Sequence, residues 1–207
     1  MPVPDAPMLI ADDRGLDFLN SLATPHGEPV DWLADGEGLV HWLREAELVP
    51  ADALDEIVDR VKPVELDRVA GKARELRDWF RGFVESHMGR PLTEKSLKAL
   101  APLNDLLARD ETYGQVVRNE DGDGETGLAF VTRRRWRSTD SLLFPIAEAM
   151  ARTVTHEDFA HVKACEGHDC ILLFADHTRA RARRWCSMSV CGNRAKVAAH
   201  RRRKKAE

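Results

Sequence analysis

The residues CEGHDCILLFADHTRARARRWCSMSVCGNR, from Cys165 to Arg194, decide the fold of the C-terminal part of the chain. They hold all four cysteines of the 207-residue sequence, in two pairs with four intervening residues each, Cys165 with Cys170 and Cys186 with Cys191. Each pair can form a turn that directs two sulfurs toward one ion, and two such turns supply the four thiolates of a structural zinc site. Because four cysteines leave no open coordination position, the spacing predicts one structural Zn2+ per chain and no catalytic metal.

Two disulfides, or four unrelated buried thiols, are the alternative interpretations. Pairing between neighbouring cysteines would close only very small loops, and the rest of the chain has no cysteine to build a disulfide framework. Zinc is therefore favoured. His168 and His177 are candidate substitute ligands, but four cysteines already complete a tetrahedron, so both are expected to face solvent or to support the ligands.

Short patterns around the cysteines predict the local structure. Residues 171–174 (ILLF) are an apolar run that predicts a strand, with Trp185 as its packing partner and a hairpin or bent loop between them. After Cys191 the sequence GNRAKVAAHRRRKK favours a helix, which places Cys191 at a helix start. We therefore expect a small module made of cysteine knuckles, a short hairpin and a C-terminal helix.

The second knuckle and the residues after it, RRWCSMSVCGNRAKVAAHRRR, resemble the CGNR zinc finger, which is named for the tetrapeptide found here at positions 191–194. Phe174, Asp176 and Thr178 also resemble a pattern of that family. The resemblance implies a zinc-binding, DNA-binding module, usually found at the end of bacterial proteins thought to be stress-induced transcription regulators.

A second resemblance lies near the start of the chain. Residues 16–21 read LDFLNS and are similar to the opening of the ABATE domain, the usual partner ahead of CGNR fingers, with Ser21 in place of the family's threonine. The residues alone favour a simpler interpretation, in which the apolar side chains are core and Asn20 caps or turns the chain. Together the resemblances imply an ABATE-like, mainly helical domain over residues 1–158 and a CGNR-type zinc finger over residues 159–207.

Apolar residues at intervals of three and four support this helical domain. The longest such pattern runs from Pro63 to Phe83 and predicts the central helix, and Asp31 is expected to cap an earlier helix. Shorter helices are predicted over residues 53–61, 93–108 and 141–154. Around residues 115–131, QVVR and GLAFV predict a β-hairpin with an acidic, glycine-rich turn, so the fold class is α+β.

The hairpin region carries two charged segments. Asp121, Asp123 and Glu125 alternate in the turn, but the flanking helices and the final glutamate of a calcium-binding loop are missing, so a solvated turn is favoured. The run RRRWR at residues 133–137 either faces nucleic acid or neutralises acidic surface of its own domain, and the second interpretation is favoured.

The net charge of −4 hides an uneven distribution. Residues 160–207 hold 12 Lys and Arg against 4 Asp and Glu, a formal charge of +8, whereas residues 1–159 hold 19 against 31, or −12. The opening residues lack the basic and apolar regions of a secretory signal, and no apolar run approaches the about 18–20 residues of a membrane span. With reduced thiols, these features predict a cytoplasmic protein with no membrane partner.

The basic C-terminal segment predicts nucleic-acid binding, with double-stranded DNA as the favoured partner. Arginine suits bidentate contacts with phosphate or guanine, and a helix fits the major groove. Arg194 has a second interpretation, because it is close enough in sequence to Cys191 to hydrogen-bond the thiolates. The candidate nucleic-acid-binding residues are Arg179, Arg181, Arg183, Arg184, Arg194, Lys196, Arg201, Arg202, Arg203 and Lys205.

The sequence contains no glycine-rich nucleotide loop, serine elbow or zinc-protease motif, so no enzymatic activity is predicted. Three functional hypotheses remain. The favoured one is a transcription regulator whose N-terminal domain senses a small-molecule or protein effector and whose finger binds DNA. The others are an RNA- or RNA-polymerase-associated factor and a structural finger for protein–protein interaction. No pattern fixes the oligomeric state.

Overall fold

The computed structural model describes residues 6–25, 27–119 and 127–206, without the side chains of residues 205 and 206. The helices of these ranges are α1 (Arg14–Leu19), α2 (Gly36–Glu45), α3 (Ala51–Arg60), α4 (Pro63–His87), α5 (Ala101–Leu107), α6 (Leu143–His156) and α7 (Asn193–Ala206). The strands form three antiparallel pairs, β1 (Leu22–Ala23) with β2 (Val30–Asp31), β3 (Thr112–Arg118) with β4 (Leu128–Arg134), and β5 (Val162–Ala164) with β6 (Leu173–Ala175). The expected α+β class is confirmed.

Helix α4 is the central helix, as predicted. It begins at Pro63, whose fixed φ suits the first helical turn, and it ends at His87, shortly before Gly89 in the left-handed region (φ 81°). Its apolar face is buried, with Phe80 and Val84 fully enclosed, and it packs against α1, α2 and α6. The helix therefore forms the scaffold on which the N-terminal residues are placed.

The LDFLN segment lies mainly in α1, whose N-cap Asp13 accepts a hydrogen bond from the backbone N–H of Leu16 (2.8 Å). Its apolar side chains are fully buried, which confirms their predicted place in the core. Gly15 allows α1 to approach α6 closely, because a Cβ there would lie 2.1 Å from the Thr153 hydroxyl. Asn20 follows the helix as its C-cap residue.

The predicted role of Asp31 as a helix cap is wrong. Asp35 caps α2 instead and accepts a hydrogen bond from the N–H of Gly38 (2.8 Å). Asp31 lies in β2, where its carboxylate accepts two hydrogen bonds from Arg77 of α4, at 2.7 and 2.8 Å. Arg77 is only 3% exposed, and a buried guanidinium without a carboxylate partner would strongly destabilise the fold. Helix α2 already has Asp35 as its cap.

Substitution of Asp31 by asparagine is expected to lower the free energy of unfolding by about 3 kcal/mol at pH 7, because it leaves the buried Arg77 guanidinium with only the exposed Asp78, 3.7 Å away, as a counter-charge. Burial alone would raise the pKa of Asp31, but the hydrogen bonds from Arg77 outweigh it and lower the pKa below its usual value. The stabilisation by the ionised carboxylate is therefore present above the unfolded-state pKa of about 3.9 and is lost as the pH falls further. Urea unfolding of both proteins at several pH values should show a gap that narrows below about pH 4. Equal stabilities at pH 7 would contradict the prediction.

The other predicted elements occur with shifted bounds. Residues 93–108 contain a 3-10 helix (Glu94–Leu100) before α5, and Pro102 stands in the first turn of α5, where a proline needs no N–H partner. A 3-10 helix (Thr139–Leu142) likewise precedes α6. The β3–β4 hairpin is confirmed, with Val116 opposite Phe130, and the acidic turn residues 120–126 lie outside the described residues.

The basic run at the end of β4 pairs with acidic side chains of its own domain, as favoured. Arg134 donates to Asp110 (2.7 Å) and Glu148 (2.9 Å), and Arg137 donates to Glu111 (2.8 Å). Within the described ranges, no helix combines the length and the apolar character needed to cross a lipid bilayer.

Candidate metal centre and basic helix

The four cysteines are brought together by a hairpin and a helix start. Strands β5 and β6 pair with each other, so that Cys165 directly follows β5 and Cys170 lies shortly before β6. The apolar run therefore pairs with the residues before the first knuckle, and the segment toward Trp185 is a bent loop rather than a hairpin. Cys191 lies in a π-helical turn (Met188–Gly192) that leads into α7, close to the predicted helix start.

The sulfur atoms form one compact cluster, all within 4.8 Å of one another. The Cys170 and Cys186 sulfurs are 3.9 Å apart, and those of Cys186 and Cys191 are 3.6 Å apart. A tetrahedral zinc with Zn–S bonds of about 2.3 Å requires sulfur–sulfur separations of roughly 3.8 Å. The cluster therefore has the size of a four-thiolate zinc site, and its free thiols exclude the disulfide alternative.

The chemistry of the donors also fits a divalent cation. Hydrogen bonding from Cys186 lowers the pKa of Cys170 to about 5, whereas burial raises the pKa of Cys191 to about 12. Interaction with the Cys170 thiolate raises the pKa of Cys186 as well. Four thiolates this close repel one another, so they need a cation that neutralises their charge. A bound zinc ion has this effect in such sites.

Gly167 shapes the first knuckle, and its role was not predicted from the sequence. A Cβ at this position would lie 2.9 Å from the Cys191 sulfur and 3.2 Å from the Cys170 Cβ. The N–H of Gly167 and that of Cys186 both donate to the Cys165 sulfur, at 3.4 and 3.3 Å. A glycine between two closely spaced cysteines was the available signal. His168 and His177 lie outside the sulfur cluster and pair with Asp169 and Glu157, respectively.

Asp176 organises the loop before the second knuckle. Its carboxylate is fully buried and accepts hydrogen bonds from the Lys163 ammonium (2.7 Å), the Thr178 N–H and hydroxyl (3.0 and 2.6 Å) and the Arg183 N–H (2.8 Å). Burial alone would raise the pKa of Asp176, but these donors hold it well below its usual value. In the sequence, Asp176 is recognisable only as part of a family pattern, because a single acidic residue gives no indication of its donors.

The module packs directly on the helical domain. The Asn20 side chain donates to the Leu173 carbonyl (2.8 Å) and accepts from the Leu173 N–H (3.0 Å), so it pairs with β6 like a neighbouring strand. Arg81 of α4 donates to the Ile171 carbonyl (3.1 Å), and the Thr24 hydroxyl donates to the Asp169 carbonyl. Buried residues of both parts belong to one hydrophobic cluster. The first knuckle is therefore held by the helical domain as well as by its own ligands.

Three of the four arginines before the second knuckle are engaged inside the module. Arg181 donates to a backbone carbonyl of the same loop, and Arg184 donates to Glu166 (2.6 Å). Arg183 donates to backbone carbonyls of the second knuckle, and its guanidinium lies 4.5 Å from the centre of the Phe174 ring. Arg179 is exposed and has no partner among the described residues.

Helix α7 differs from the rest of the chain because it contributes nothing to the core. No residue from 193 to 204 is buried, and the helix contains seven Arg and Lys and no acidic residue. Arg194 donates to the Pro25 carbonyl, so its guanidinium binds neither the thiolates nor an acidic group. The remaining candidate side chains of this helix that the structure describes are exposed and have no described partner; these are Lys196, Arg201, Arg202 and Arg203. Lys205 lies in α7, but its side chain is not among those described.

These features define a class of protein, a helical domain that carries a four-cysteine zinc finger. The chain belongs to the ABATE family, whose model matches residues 12–157 and is described as "Putative stress-induced transcription regulator". Residues 161–204 match the CGNR zinc finger, which confirms both resemblances. With the sulfur geometry, this match identifies one structural zinc ion per chain, held by Cys165, Cys170, Cys186 and Cys191. Comparison with curated proteins finds no match.

Proposed function

We propose that this protein is a non-enzymatic, cytoplasmic transcription regulator that binds double-stranded DNA through α7 of its zinc finger. The observation that carries the proposal is the unpaired charge of this helix. Many surface cations of the helical domain have carboxylate partners, such as Arg44 with Asp55 and Arg152 with Glu148. Cations on one exposed helix without acidic neighbours are suited to phosphates, which supply most of the affinity for nucleic acid.

The zinc ion would serve this function by fixing where the helix begins. Cys191 lies two residues before Asn193, the first residue of α7, and the other ligands anchor the knuckles to β5, β6 and the Asp176 loop. Because no residue of α7 between 193 and 204 is buried, the ligands and the contact of Arg194 with Pro25 hold its N-terminal end. The C-terminal turns remain free to contact a partner.

The helical domain offers an effector an open groove between α4, α5 and α6. Its lining includes the apolar side chains of Trp79, Leu106 and Phe144 and four charged residues, Lys72, Glu75, Arg109 and Asp140. The Lys72 ammonium donates to the Asp140 carboxylate (2.6 Å). A mainly apolar lining with a few charged groups suits a small ligand that has both apolar and polar parts, which is consistent with a sensing role for this domain.

Neutralising three cations of α7 tests the proposal. The triple change of Arg201, Arg202 and Arg203 to glutamine should weaken binding to a 20-base-pair DNA duplex by at least roughly tenfold at low salt. It should also reduce the slope of log affinity against log salt by about 0.9 for each phosphate that the variant no longer binds. Fluorescence anisotropy at several salt concentrations measures both quantities.

A matched control removes three cations elsewhere. Lys95, Lys98 and Arg118 are exposed outside the zinc finger and have no described partner, so their change to glutamine alters the net charge equally. Affinity and salt slope should be near those of the original protein. If both triple variants bind alike, α7 is not the contact surface. If the unmodified protein binds neither DNA nor structured RNA, the finger serves a protein partner instead.

A further inference from the structure

The exposed surface of α7 is not uniformly basic. Asn193, Val197 and Arg201 follow one another at intervals of four residues, so they share one face of the helix. Val197 is 50% exposed at the centre of this face. An apolar side chain contributes nothing to phosphate binding, so its exposure there needs another explanation. Ala195 and Ala199, on the opposite side, are the only half-covered residues between 193 and 204.

This face also borders a shallow, open depression. It is lined by Ser189 and Val190 of the preceding turn and by Asn193, Arg194, Val197, Ala198 and Arg201 of the helix. Its lining combines two valines and an alanine with hydroxyl, amide and guanidinium groups. Apolar groups next to an arginine fork match the chemistry of base edges, where thymine presents a methyl group and guanine presents two acceptors.

A second set of cations lies on the neighbouring side of the helix. Lys196 and Arg203 are seven residues apart, so they share a face, and both are exposed without a described partner. The half-covered Ala199 lies between them, three residues after Lys196. Their position beside the Asn193–Val197–Arg201 face is that of groups that meet the phosphate backbone when a helix lies in a groove.

We propose that α7 lies in the major groove of duplex DNA, with Val197 and Arg201 contacting base edges and Lys196 and Arg203 binding phosphates. This assignment rests on the proposed function and adds to it separate roles for the side chains that contact bases and those that bind phosphates. The helix, about 10–12 Å wide with its side chains, fits the about 12 Å major groove of B-form DNA. The deep, narrow major groove of A-form RNA does not admit it. The protein therefore prefers particular DNA sequences, with a guanine opposite Arg201.

The test compares two substitutions that retain charge. The full-length, zinc-loaded protein first selects its preferred sequence from 20-base-pair duplexes with a randomised centre. Arg201→Lys keeps the charge but cannot form the two-pronged hydrogen bond to guanine, so affinity for the selected duplex should fall roughly 5- to 150-fold while affinity for random duplex changes little. Arg203→Lys keeps a phosphate contact and should leave both affinities nearly unchanged.

A complementary pair of variants completes the test. Arg203→Gln should weaken binding to selected and random duplexes equally and lower the salt slope by about 0.9. Equal effects of Arg201→Lys and Arg203→Lys, or a selection without a preferred sequence, would contradict the separate base and phosphate roles, although nucleic-acid binding itself would still stand. Stronger binding to A-form RNA than to DNA would overturn the groove assignment. No salt-dependent binding to either polymer would remove the proposed function itself.

Discussion

Replacement of Cys186 by serine is expected to abolish zinc binding and to destabilise the whole chain. Structural zinc contributes about 10–16 kcal/mol to small modules, which exceeds or equals the total stability of most domains. Cys186 is fully buried, and its sulfur lies 3.9 Å from that of Cys170 and 3.6 Å from that of Cys191, so its loss leaves an incomplete ligand set. Because the module and the helical domain share one hydrophobic cluster, the midpoint of thermal unfolding of the helices should fall with it.

Metal analysis and circular dichroism measure these effects. The unmodified protein should contain one zinc per chain after reduced, chelator-free purification, and the variant should contain little. Ser189→Ala is a control in the same turn, since its hydroxyl contacts only the Ser187 hydroxyl and is not a ligand. A Cys186→Ser protein with full zinc content and unchanged thermal unfolding would contradict the assignment of this ligand.

Substitution of Asn20 by alanine is expected to lower the free energy of unfolding by about 2–5 kcal/mol. Both hydrogen bonds to Leu173 are removed, and the N–H and carbonyl of that buried residue are left unpaired, at about 1–3 kcal/mol for each group. Urea unfolding followed by tryptophan fluorescence measures the change. Backbone amide exchange should also become faster in β5 and β6, because the strand pair loses its neighbour.

An exposed asparagine provides the matched control. Asn104 lies on the surface of α5, and its change to alanine should alter stability by less than about 0.5 kcal/mol. Asn20→Asp should be at least as harmful as the alanine change, because its carboxylate would face the Leu173 carbonyl. An Asn20→Ala protein within experimental error of the original would show that β6 does not depend on this side chain.

Local patterns in the sequence predicted what depends on local spacing. The paired cysteines identified the metal, the three- and four-residue apolar intervals located α4, and the run after Cys191 indicated α7. The same reasoning failed for Asp31, because its partner Arg77 is distant in sequence and nothing near Asp31 indicates it. Helix caps and ion pairs use the same side chains, and only the tertiary structure decides between them.

The candidate site likewise combines features that local sequence patterns predict with features that only the tertiary structure decides. All four ligands were predicted, but the arginines on either side of the second knuckle were assigned to nucleic acid from charge alone. The structure shows Arg183 covering Phe174 and binding backbone carbonyls, and Arg194 binding Pro25. A count of arginines does not show which of them form hydrogen bonds within the protein and which are free to bind a partner. The internal acceptors are backbone carbonyls, which every residue has, so the sequence does not reveal them.

The contacts of Asn20, Thr24 and Arg81 with the first knuckle have a consequence for how such proteins can diversify. One strand and one knuckle of the finger pack against the preceding domain. Recombination therefore cannot move the finger alone into an unrelated protein without losing these contacts. An exchange at the junction near residue 158 would expose Phe159 and Phe174, both fully enclosed here, and would leave the Leu173 backbone without partners. New binding specificities would therefore arise by point substitution along α7, which no core contact constrains, while the helical domain and the knuckles are inherited together.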